Sequence, residues 1–376
     1  FNSTSTGSLL DNAVVRYAST PVAINSSSPQ ITNSAIRANG GYGLQITGAS
    51  SPQIANNTIQ DNRYAAIYFN PSGSGASEVR IHDNLIERNG GYGVFVSKTG
   101  TGPVTGVTLA DNTIRSNTGQ AVYYNVGTAD PLPPDISDNT ISGNSQDAIF
   151  LAGRVAQNSV WGSTAPFVLQ GNVNVAAGAS LTLQPGTVVK GGQGTQLSVN
   201  GTLDAQGTDS QPITFTSYRD DAVGGNTDGA GSSTGVPGDW AGVSFGSNAT
   251  ASGTGTIRNV VNAYAIQGFS VNCSCPTPPS IRRSTIAFTS TNGIAMGSDA
   301  GLAADGGSIA SHNVFRDNVG NAIAKAGGAE IRVPHNDFGC DSGPAPFGCG
   351  EPISGPLDPK PSFADRWGTA GRQPEF

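Results

Sequence analysis

Residues 27–69 read SSPQITNSAIRANGGYGLQITGASSPQIANNTIQDNRYAAIYF. The phrase SSPQI at 27–31 returns at 50–54, and both copies continue through an Asn-containing break, an Ile and a further Asn. This spacing is too long for a coiled-coil heptad and too short for a domain. It therefore indicates one structural unit of a repeat protein, in which each unit packs on the next.

The repeat continues beyond these two copies. Its anchor is an Ile that recurs every 23 to 28 residues, and an Asn stands three positions after each anchor. The anchors are Ile36, Ile59, Ile86, Ile114 and Ile141, and the following residues are Asn39, Asn62, Asn89, Asn117 and Asn144. Alternating apolar pairs and Gly-rich breaks fill the rest of each unit, which predicts about three short strands per unit. The abundance of Gly, Asn and β-branched residues disfavours helices.

A unit of this kind buries its apolar face only by stacking on its neighbours, with strands about 4.8 Å apart. The Ile anchors are then expected to form an internal column. The recurrent Asn is expected to occupy a tight turn, since Asn tolerates the left-handed conformation, and its amide can bond to the equivalent Asn above and below. We therefore predict an all-β solenoid with an asparagine ladder.

Three phrases carry a resemblance to a known group: SPQIANNTIQDN, VRIHDNLIERNGGYGV and VTLADNTIRSN. They resemble the right-handed parallel β-helix repeat proteins, and the resemblance covers most of the chain. It implies a right-handed parallel β-helix. It says little about function, because the group includes lyases, hydrolases, adhesins and structural proteins.

The pattern changes near residue 154. The phrases PGTVVK and VNGTLDAQGT resemble the opening segment of β-helical modules in bacterial secreted and surface proteins. LLDNAVVRYA (9–18) also matches TIRNVVNAYA (256–265) at a constant offset of 247, and Phe1 corresponds to Phe245 with a short insertion between. We therefore predict two modules in tandem.

The first module is expected to contribute its C-terminal part as residues 1–153, and the second to span 154–376. The second is divided into an opening segment (154–244), coils (245–335) and a closing segment with a tail (336–376). A chain that begins inside a module is expected to present an open β-edge. A tandem neighbouring module, or another subunit in head-to-tail self-association, could pair with that edge.

Charge and composition limit the possible partners. Charged residues make up 12% of the chain and the formal net charge is −7, which argues against nucleic acid. No apolar run is long enough to span a membrane. The four cysteines, Cys273, Cys275, Cys340 and Cys349, are even in number and suit the oxidising environment of a secreted or cell-surface protein. Three pairings are open, and a zinc site of all four is disfavoured by the CxC spacing.

The best catalytic candidates are three carboxylates, each three residues before an anchor: Asp83, Asp111 and Asp138. Stacked about 5 Å apart, they would raise one another's pKa or hold a cation, and this separation is also the one that a retaining glycosidase requires. However, Asp is also favoured in turns, and the column lacks the basic partner that β-elimination requires. Turn formation is the preferred interpretation, so no catalytic residue is assigned.

Two further surfaces are candidates for binding. The loop DDAVGGNTDGAG could hold a structural Ca²⁺ through Asp220, Asp221, Asn226 and Asp228, with an ordinary polar loop as the alternative. No other cofactor is expected. An outward aromatic strip could bind carbohydrate or could pack inward; its members are Tyr42, Tyr64, Tyr68, Tyr92, Tyr123 and Tyr124.

The sequence thus predicts an extracellular, non-catalytic structural or adhesive β-helix. It could self-associate end to end into a fibre or bind surface carbohydrate. The alternative is a polysaccharide lyase or glycoside hydrolase that uses the three aspartates and acts on an extracellular polysaccharide.

Overall fold

The computed structural model is a right-handed parallel β-solenoid of about 12 coils, where a coil is one full turn of the chain around the axis. It describes residues 1–72, 75–98, 104–126, 130–133, 135–246, 253–273, 275, 277–298, 300, 310–328, 330–340, 343–346 and 349–359. The described residues contain strands and turns but no α-helix, as expected from the Gly- and Asn-rich repeats. Residues 360–376 of the predicted tail lie outside the described residues.

The strands are short and follow one another around the axis. The first part of the chain contains β1 (Leu9–Asp11), β2 (Val14–Arg16), β3 (Val22–Asn25), β4 (Gln30–Thr32), β5 (Ala35–Arg37), β6 (Leu44–Thr47), β7 (Gln53–Ala55), β8 (Thr58–Gln60), β9 (Ile67–Asn70), β10 (Ser77–His82), β11 (Leu85–Glu87), β12 (Val94–Ser97), β13 (Val104–Ala110), β14 (Thr113–Arg115), β15 (Gln120–Asn125) and β16 (Asp135–Ser142). The middle contains β17 (Gln146–Val155), β18 (Ser159–Ser163), β19 (Phe167–Val175), β20 (Ser180–Leu183), β21 (Val188–Gly191), β22 (Gln196–Val199), β23 (Thr202–Gln206), β24 (Ile213–Ser217) and β25 (Gly242–Phe245). The last part contains β26 (Thr254–Arg258), β27 (Val260–Ala263), β28 (Gln267–Val271), β29 (Ser280–Arg282), β30 (Thr285–Ala287), β31 (Asn292–Met296), β32 (Ala310–Ser311), β33 (Val314–Arg316), β34 (Ile323–Lys325), β35 (Ile331–Arg332), β36 (Ile353–Ser354) and β37 (Leu357–Asp358).

Three faces are formed in the first part because every third strand pairs in parallel. Face 1 begins β1, β4, β7, face 2 begins β2, β5, β8, and face 3 begins β3, β6, β9. The register is straight: Ile59 lies beside Ile86, and Ile86 beside Ile114. All five anchors are buried, four of them with no exposed surface and Ile141 with 8%. The predicted internal column of Ile is confirmed.

Face 2 ends and a new face begins in the middle of the chain. Face 2 has its last strand in residues 140–142 of β16. Face 3 continues from Ile149 to Phe167, while residues 153–155 of β17 pair with 173–175 of β19 and start face 4, which continues through β22 and β25. Face 1 runs past this junction without interruption through β18, β20, β23 and β26. Each later coil therefore keeps three strands, but on faces 1, 3 and 4.

The segments that match at an offset of 247 share local structure. Asn12 and Asn259 both have left-handed backbone, with φ of 51° and 49°, and Tyr17 and Tyr264 both have φ of 61°. The carbonyl of Phe1 accepts the Asn25 amide at 3.0 Å, as the carbonyl of Phe245 accepts the Asn272 amide at 2.9 Å. The repeated phrases thus fold alike, while the division into two modules stays a prediction.

The cysteines pair locally, Cys273 with Cys275 and Cys340 with Cys349. Since all four sulfurs are in disulfides, a zinc site made of their thiolates is excluded. Both pairs lie in the later coils, where long asparagine ladders are absent from the described residues.

Candidate functional site

The predicted asparagine ladder runs along the turn between face 2 and face 3. Each side-chain amide donates to the Oδ1 of the next Asn, at 2.8, 2.9, 2.9 and 2.8 Å from Asn39 to Asn144. Each Oδ1 also accepts the backbone N–H of the Asn on the preceding coil. The ladder ends where the Asn144 amide donates to Asp147 Oδ1 at 2.8 Å.

The turn geometry differs from the expectation in one respect. The left-handed residue is the one before each ladder Asn, for example Asp61 (φ 55°), Arg88 (φ 51°) and Ser116 (φ 55°). That residue turns the chain, which directs the next side chain inward. The Asn is therefore buried, and its amide replaces the backbone partners that a tight turn would otherwise leave unpaired.

A second ladder, which the sequence analysis missed, lines the turn between face 1 and face 2. The Asn57, Asn84 and Asn112 amides each donate at 3.0 Å to the next Oδ1, ending on Asn139, and all four residues are at most 2% exposed. The signal was present in the sequence, because an Asn stands two positions before four of the five anchors. The sequence analysis selected the Asp or Asn that precedes each of these residues and therefore overlooked the buried position.

The candidate catalytic aspartates occupy that preceding position. Asp83, Asp111 and Asp138 have φ of 57°, 56° and 55°, and their side chains are exposed. Asp83 Oδ2 lies 2.8 Å from His82 Nδ1. Asp is one of the few residues that enters the left-handed region readily. The turn conformation therefore accounts for these residues, and a catalytic role for them stays the untested alternative.

A carboxylate that the sequence analysis did not select is more deeply placed. Glu87 on β11 is 5% exposed and is paired with Arg115 Nη2 at 2.7 Å and with Arg88. Arg88 also contacts Asp61 at 3.0 Å, so the network spans three coils. Burial alone would raise the pKa of Glu87, but the two arginines outweigh it and lower that pKa. The Glu87 carboxylate is paired with both arginines, and Arg88 is paired in addition with Asp61, so these side chains form a structural ion-pair network.

Six rings form a continuous patch outside face 3, here called the aromatic strip: Tyr42, Tyr64, Tyr68, Tyr92, Phe95 and Tyr123. The ring centroids of Tyr42 and Tyr68 are 4.6 Å apart, those of Tyr68 and Phe95 5.4 Å, and those of Phe95 and Tyr123 5.4 Å. Tyr64 is 45% exposed and the other rings are half-buried. Five of the six predicted tyrosines are thus together on the surface.

The sixth, Tyr124, lies in the interior at 2% exposure, where its hydroxyl donates to the carbonyl of Pro131 at 3.3 Å. The strict alternation of a strand explains this, because adjacent residues point to opposite sides. Phe95 takes the outward position on β12 that Tyr123 takes on β15.

The strip ends against a long loop. Phe150 and Val168 continue the outward column of face 3, and Tyr218 packs on them with Tyr123. Residues 218–239 then cover the next position, and the Gln146 side chain donates to the carbonyl of Thr227 at 2.8 Å. This loop contains the predicted calcium ligands.

The loop carboxylates already have donors within the protein. Asp220 Oδ2 accepts from the Thr216 hydroxyl at 2.6 Å, Asp221 Oδ2 from the Ser233 amide at 2.7 Å, and Asp228 Oδ1 from the Ala230 amide at 2.9 Å. The Asn226 oxygen accepts from the Gly229 amide at 3.0 Å. Within the described ranges, no three His, Cys, Asp or Glu side chains are grouped as a metal site. Calcium binding here stays a prediction from the sequence alone.

A buried lysine occupies the underside of the loop. Lys190 on β21 has no exposed surface, and its ammonium donates to the carbonyls of Asp220 at 2.9 Å and Gly225 at 2.6 Å. Burial lowers the pKa of Lys190 to about 8, although Asp220, Asp221 and Asp228 oppose the shift. The loop is therefore fastened to face 3 by an internal cation.

The later coils contain shorter ladders. Asn313 donates to Asn336 Oδ1 at 3.1 Å, and Asn318 donates to Glu351 Oε2 at 2.8 Å. Burial raises the pKa of Glu351, while its bonds from Asn318 act in the opposite direction. Both Asn144 and Asn318 thus end their ladders on a carboxylate.

Comparison with known proteins supports the fold but gives no relative of known function. Residues 2–131 match the family model described as "Right handed beta helix region". No curated protein matches the chain. No solved structure matches it either. No helix among the described residues is long and apolar enough to cross a membrane. The resemblance to right-handed parallel β-helix repeat proteins is confirmed: residues 2–131 carry a right-handed β-helix region, and the later coils continue its parallel stack.

Proposed function

We propose that this protein is an extracellular, non-catalytic β-helical scaffold that binds surface carbohydrate along the aromatic strip. The observation that carries the proposal is the continuity of the strip, with neighbouring ring centroids 4.6 to 5.8 Å apart across successive coils. Half-buried aromatic rings gain from contact with the apolar faces of sugars, and Tyr hydroxyls can hydrogen-bond to sugar hydroxyls.

The regular coil spacing suits a linear ligand. Strands of successive coils lie about 4.8 Å apart, so equivalent side chains present the same contact at each step along the axis. The strip is rigid because face 3 strands are paired on both sides. A rigid binding surface loses little entropy when a ligand binds.

The arrangement of carboxylates supports a non-catalytic role. The most buried, Glu87, is neutralised by Arg88 and Arg115, and the aspartates of the turn between face 1 and face 2 are exposed in left-handed turns. The two disulfides support an oxidising, extracellular location.

Titration with a panel of neutral and acidic oligosaccharides, followed by calorimetry, tests the binding. Tyr64→Ala and Tyr92→Ala are each expected to weaken binding about fivefold, since one stacking contact contributes roughly 1 kcal/mol. Tyr17→Ala is the matched control, because Tyr17 is 76% exposed and lies outside the strip. Equal losses in all three variants, or no binding by the parent protein, would contradict the proposal.

The alternative activity is polysaccharide cleavage, supported by the row of Asp83, Asp111 and Asp138 on successive coils. The same oligosaccharide panel is incubated with the protein, with and without calcium, and new reducing or unsaturated ends are measured. Products that disappear in Asp111→Asn would replace the scaffold proposal with a lyase or hydrolase.

A second proposal concerns end-to-end packing. Among the described strands, β1 and β2 pair only with the coil that follows them, and inward-facing Leu10 is partly exposed. Its counterpart Ile257 is fully buried, because β26 pairs with β23 on its other side. We infer that a second copy of the protein pairs head to tail with the edges of β1 and β2. Electron microscopy that shows only single rods at every concentration would exclude self-association.

A further inference from the structure

Arginines are concentrated on the side of the rod that carries the aromatic strip. In the first five coils, face 2, the turn after it and the strip together contain five arginines and two carboxylates, in a chain whose formal net charge is −7. The arginines are Arg16, Arg37, Arg63, Arg88 and Arg115, and the carboxylates are Asp61 and Glu87. The surface beside the strip is therefore locally positive.

Both carboxylates are already neutralised, because they are paired with Arg88 and Arg115. The other three arginines, Arg16, Arg37 and Arg63, are exposed and form no ion pair with another described residue. They lie on three successive coils, and we call them the arginine cluster. Their charges are available to an external anion.

Two members of the cluster repel one another. Arg16 and Arg37 are register partners on β2 and β5, whose backbones lie about 4.8 Å apart, and the next residue in that row is the uncharged Gln60. Like charges at facing positions on neighbouring strands destabilise a sheet. An anion bound between these side chains would remove that cost, since a guanidinium binds a carboxylate or a similar oxyanion through two parallel hydrogen bonds.

The third member connects the cluster to the aromatic strip. The guanidinium carbon of Arg63 lies 5.4 Å from the ring centroid of Tyr64, which in turn lies 5.5 Å from that of Tyr42. Gly40 and Gly90 hold the equivalent positions on the coils before and after, since all three backbone N–H groups make the same hydrogen bond to the preceding coil. Glycine presents no side chain there, so the Arg63 guanidinium is held against the strip by its contact with the Tyr64 ring.

The opposite sign of charge lies on face 1 and on the turn after it. There the first six coils carry six carboxylates and one arginine, Arg80. The carboxylates are Asp11, Glu78, Asp83, Asp111, Asp135 and Asp138. A polyanion is therefore repelled from that side of the rod and attracted to the side of the strip.

We propose that the glycan bound by the aromatic strip is anionic and that the arginine cluster holds its acid groups. This inference rests on the proposed carbohydrate-binding function and adds the class of ligand. The tyrosine rings contact the apolar faces of the sugars, while the guanidinium groups pair with carboxylate or sulfate groups on successive sugars. A neutral glycan of the same shape is bound less tightly, because it leaves Arg16 and Arg37 without a counter-ion.

Calorimetric titration with three linear oligosaccharides of equal length tests the inference: an oligouronate, its uncharged methyl ester and a sulfated oligomer. One exposed ion pair changes an equilibrium by up to about fivefold, so three together should make an acidic ligand bind roughly ten- to a hundredfold more tightly than the methyl ester. The tighter of the two acidic ligands identifies the acid group. Raising NaCl from about 0.05 M to about 0.5 M should remove most of this advantage, since the Debye length falls from about 14 Å to about 4 Å.

The variant that removes the cluster carries Arg16→Gln, Arg37→Gln and Arg63→Gln. It is expected to lose the preference for acidic ligands and to bind the methyl ester within about twofold of the wild type. Gln60 already occupies the row of Arg16 and Arg37, so the fold is retained, which circular dichroism checks.

The matched control carries Arg258→Gln, Arg282→Gln and Arg283→Gln in the later coils. It changes the net charge by the same amount, and Arg258 and Arg282 are also register partners on neighbouring strands. All three are exposed and form no ion pair with another residue of the described ranges. Because they lie away from the aromatic strip, the control is expected to bind all three oligosaccharides like the wild type.

Two results would overturn the inference and leave carbohydrate binding by the strip in place, provided that Tyr64→Ala still weakens binding. They are equal affinities of the wild type for the acidic and the uncharged ligand, and equal losses in the cluster variant and the control. A loss in the cluster variant with no effect of Tyr64→Ala or Tyr92→Ala would overturn both the inference and the proposed function. Absence of binding to any of the three oligosaccharides would also overturn both.

Discussion

The coils of residues 30–145 and those of residues 254–359 share one fold but satisfy their turns differently. The earlier coils use two long asparagine ladders, one with an amide on all five coils and the other with an amide on four of them. In the later coils the ladders are short, such as Asn313 to Asn336, and both disulfides lie there; the core column of this region contains stacked rings, such as Phe315 on Phe338 at 5.4 Å. Visible sequence repetition therefore follows the ladders, since a ladder requires the same residue at every step, whereas an apolar column accepts many residues.

Core truncation should have the largest effect and should not distinguish the two regions. Ile86 and Phe315 are both fully buried. Ile86→Ala is expected to lower the free energy of unfolding by about 2–5 kcal/mol and Phe315→Ala by about 3–5 kcal/mol, measured by urea denaturation. Leu85→Ala on the outward side of the same strand as Ile86 serves as the control, at less than about 1 kcal/mol. A much smaller loss at Phe315 would mean that the later coils are loosely packed.

Removing one rung of a ladder should have the next largest effect. Asn89→Ala leaves the side-chain amide and the backbone N–H of Asn62 without their buried acceptor, and it removes one of the two donors to Asn117 Oδ1. We expect a loss of about 2–4 kcal/mol. Asn144→Ala, at the half-exposed end of the ladder, should lose about 1 kcal/mol, since water replaces its partners there. Equal losses at both positions would argue against a cooperative ladder.

Glu87 in the earlier coils and Glu351 in the later coils should contribute to the stability of the protein with opposite pH dependence. The pKa of Glu87 is lowered by Arg115 and Arg88, so its stabilisation is present above pH about 4.5 and is lost as pH falls through the lowered pKa. Burial raises the pKa of Glu351, so its contribution is present below pH about 4.5 and is lost as pH rises through the raised pKa. Comparison of Glu87→Gln and Glu351→Gln with the parent by thermal unfolding between pH about 3 and 7 should therefore show slopes that change in opposite directions. Changes of the same sign would refute this assignment.

The turn aspartates should have the smallest effect on stability. Asp111→Asn keeps a residue that favours the left-handed conformation and removes no ion pair within the described structure. The free energy of unfolding is expected to change by less than about 0.5 kcal/mol. A loss above 1 kcal/mol in urea denaturation would show that the carboxylate has an interaction beyond the turn.

The sequence predicted the parts of the fold that depend on spacing. The Ile column and the Asn39–Asn144 ladder follow from a strict relation between two residue types, and the aromatic strip follows from strand alternation at Tyr68 and Tyr123. The Cys pairings and the buried Lys190 were not predictable, because each depends on which loops meet in space. The sequence also does not specify what contacts the strip, since aromatic residues on a surface define a kind of contact rather than a particular molecule.

The loss of face 2 and the start of face 4 near residues 142–173 restrict how this chain can lengthen. Within residues 30–142, copying one repeat inserts a coil that meets identical neighbours above and below. A copied segment that includes the junction would instead bring the strands of Ile149 and Val173 next to coils that have a different set of faces. Gene duplication can therefore add coils on either side of this point. Duplication of only part of the junction would place unlike faces next to one another.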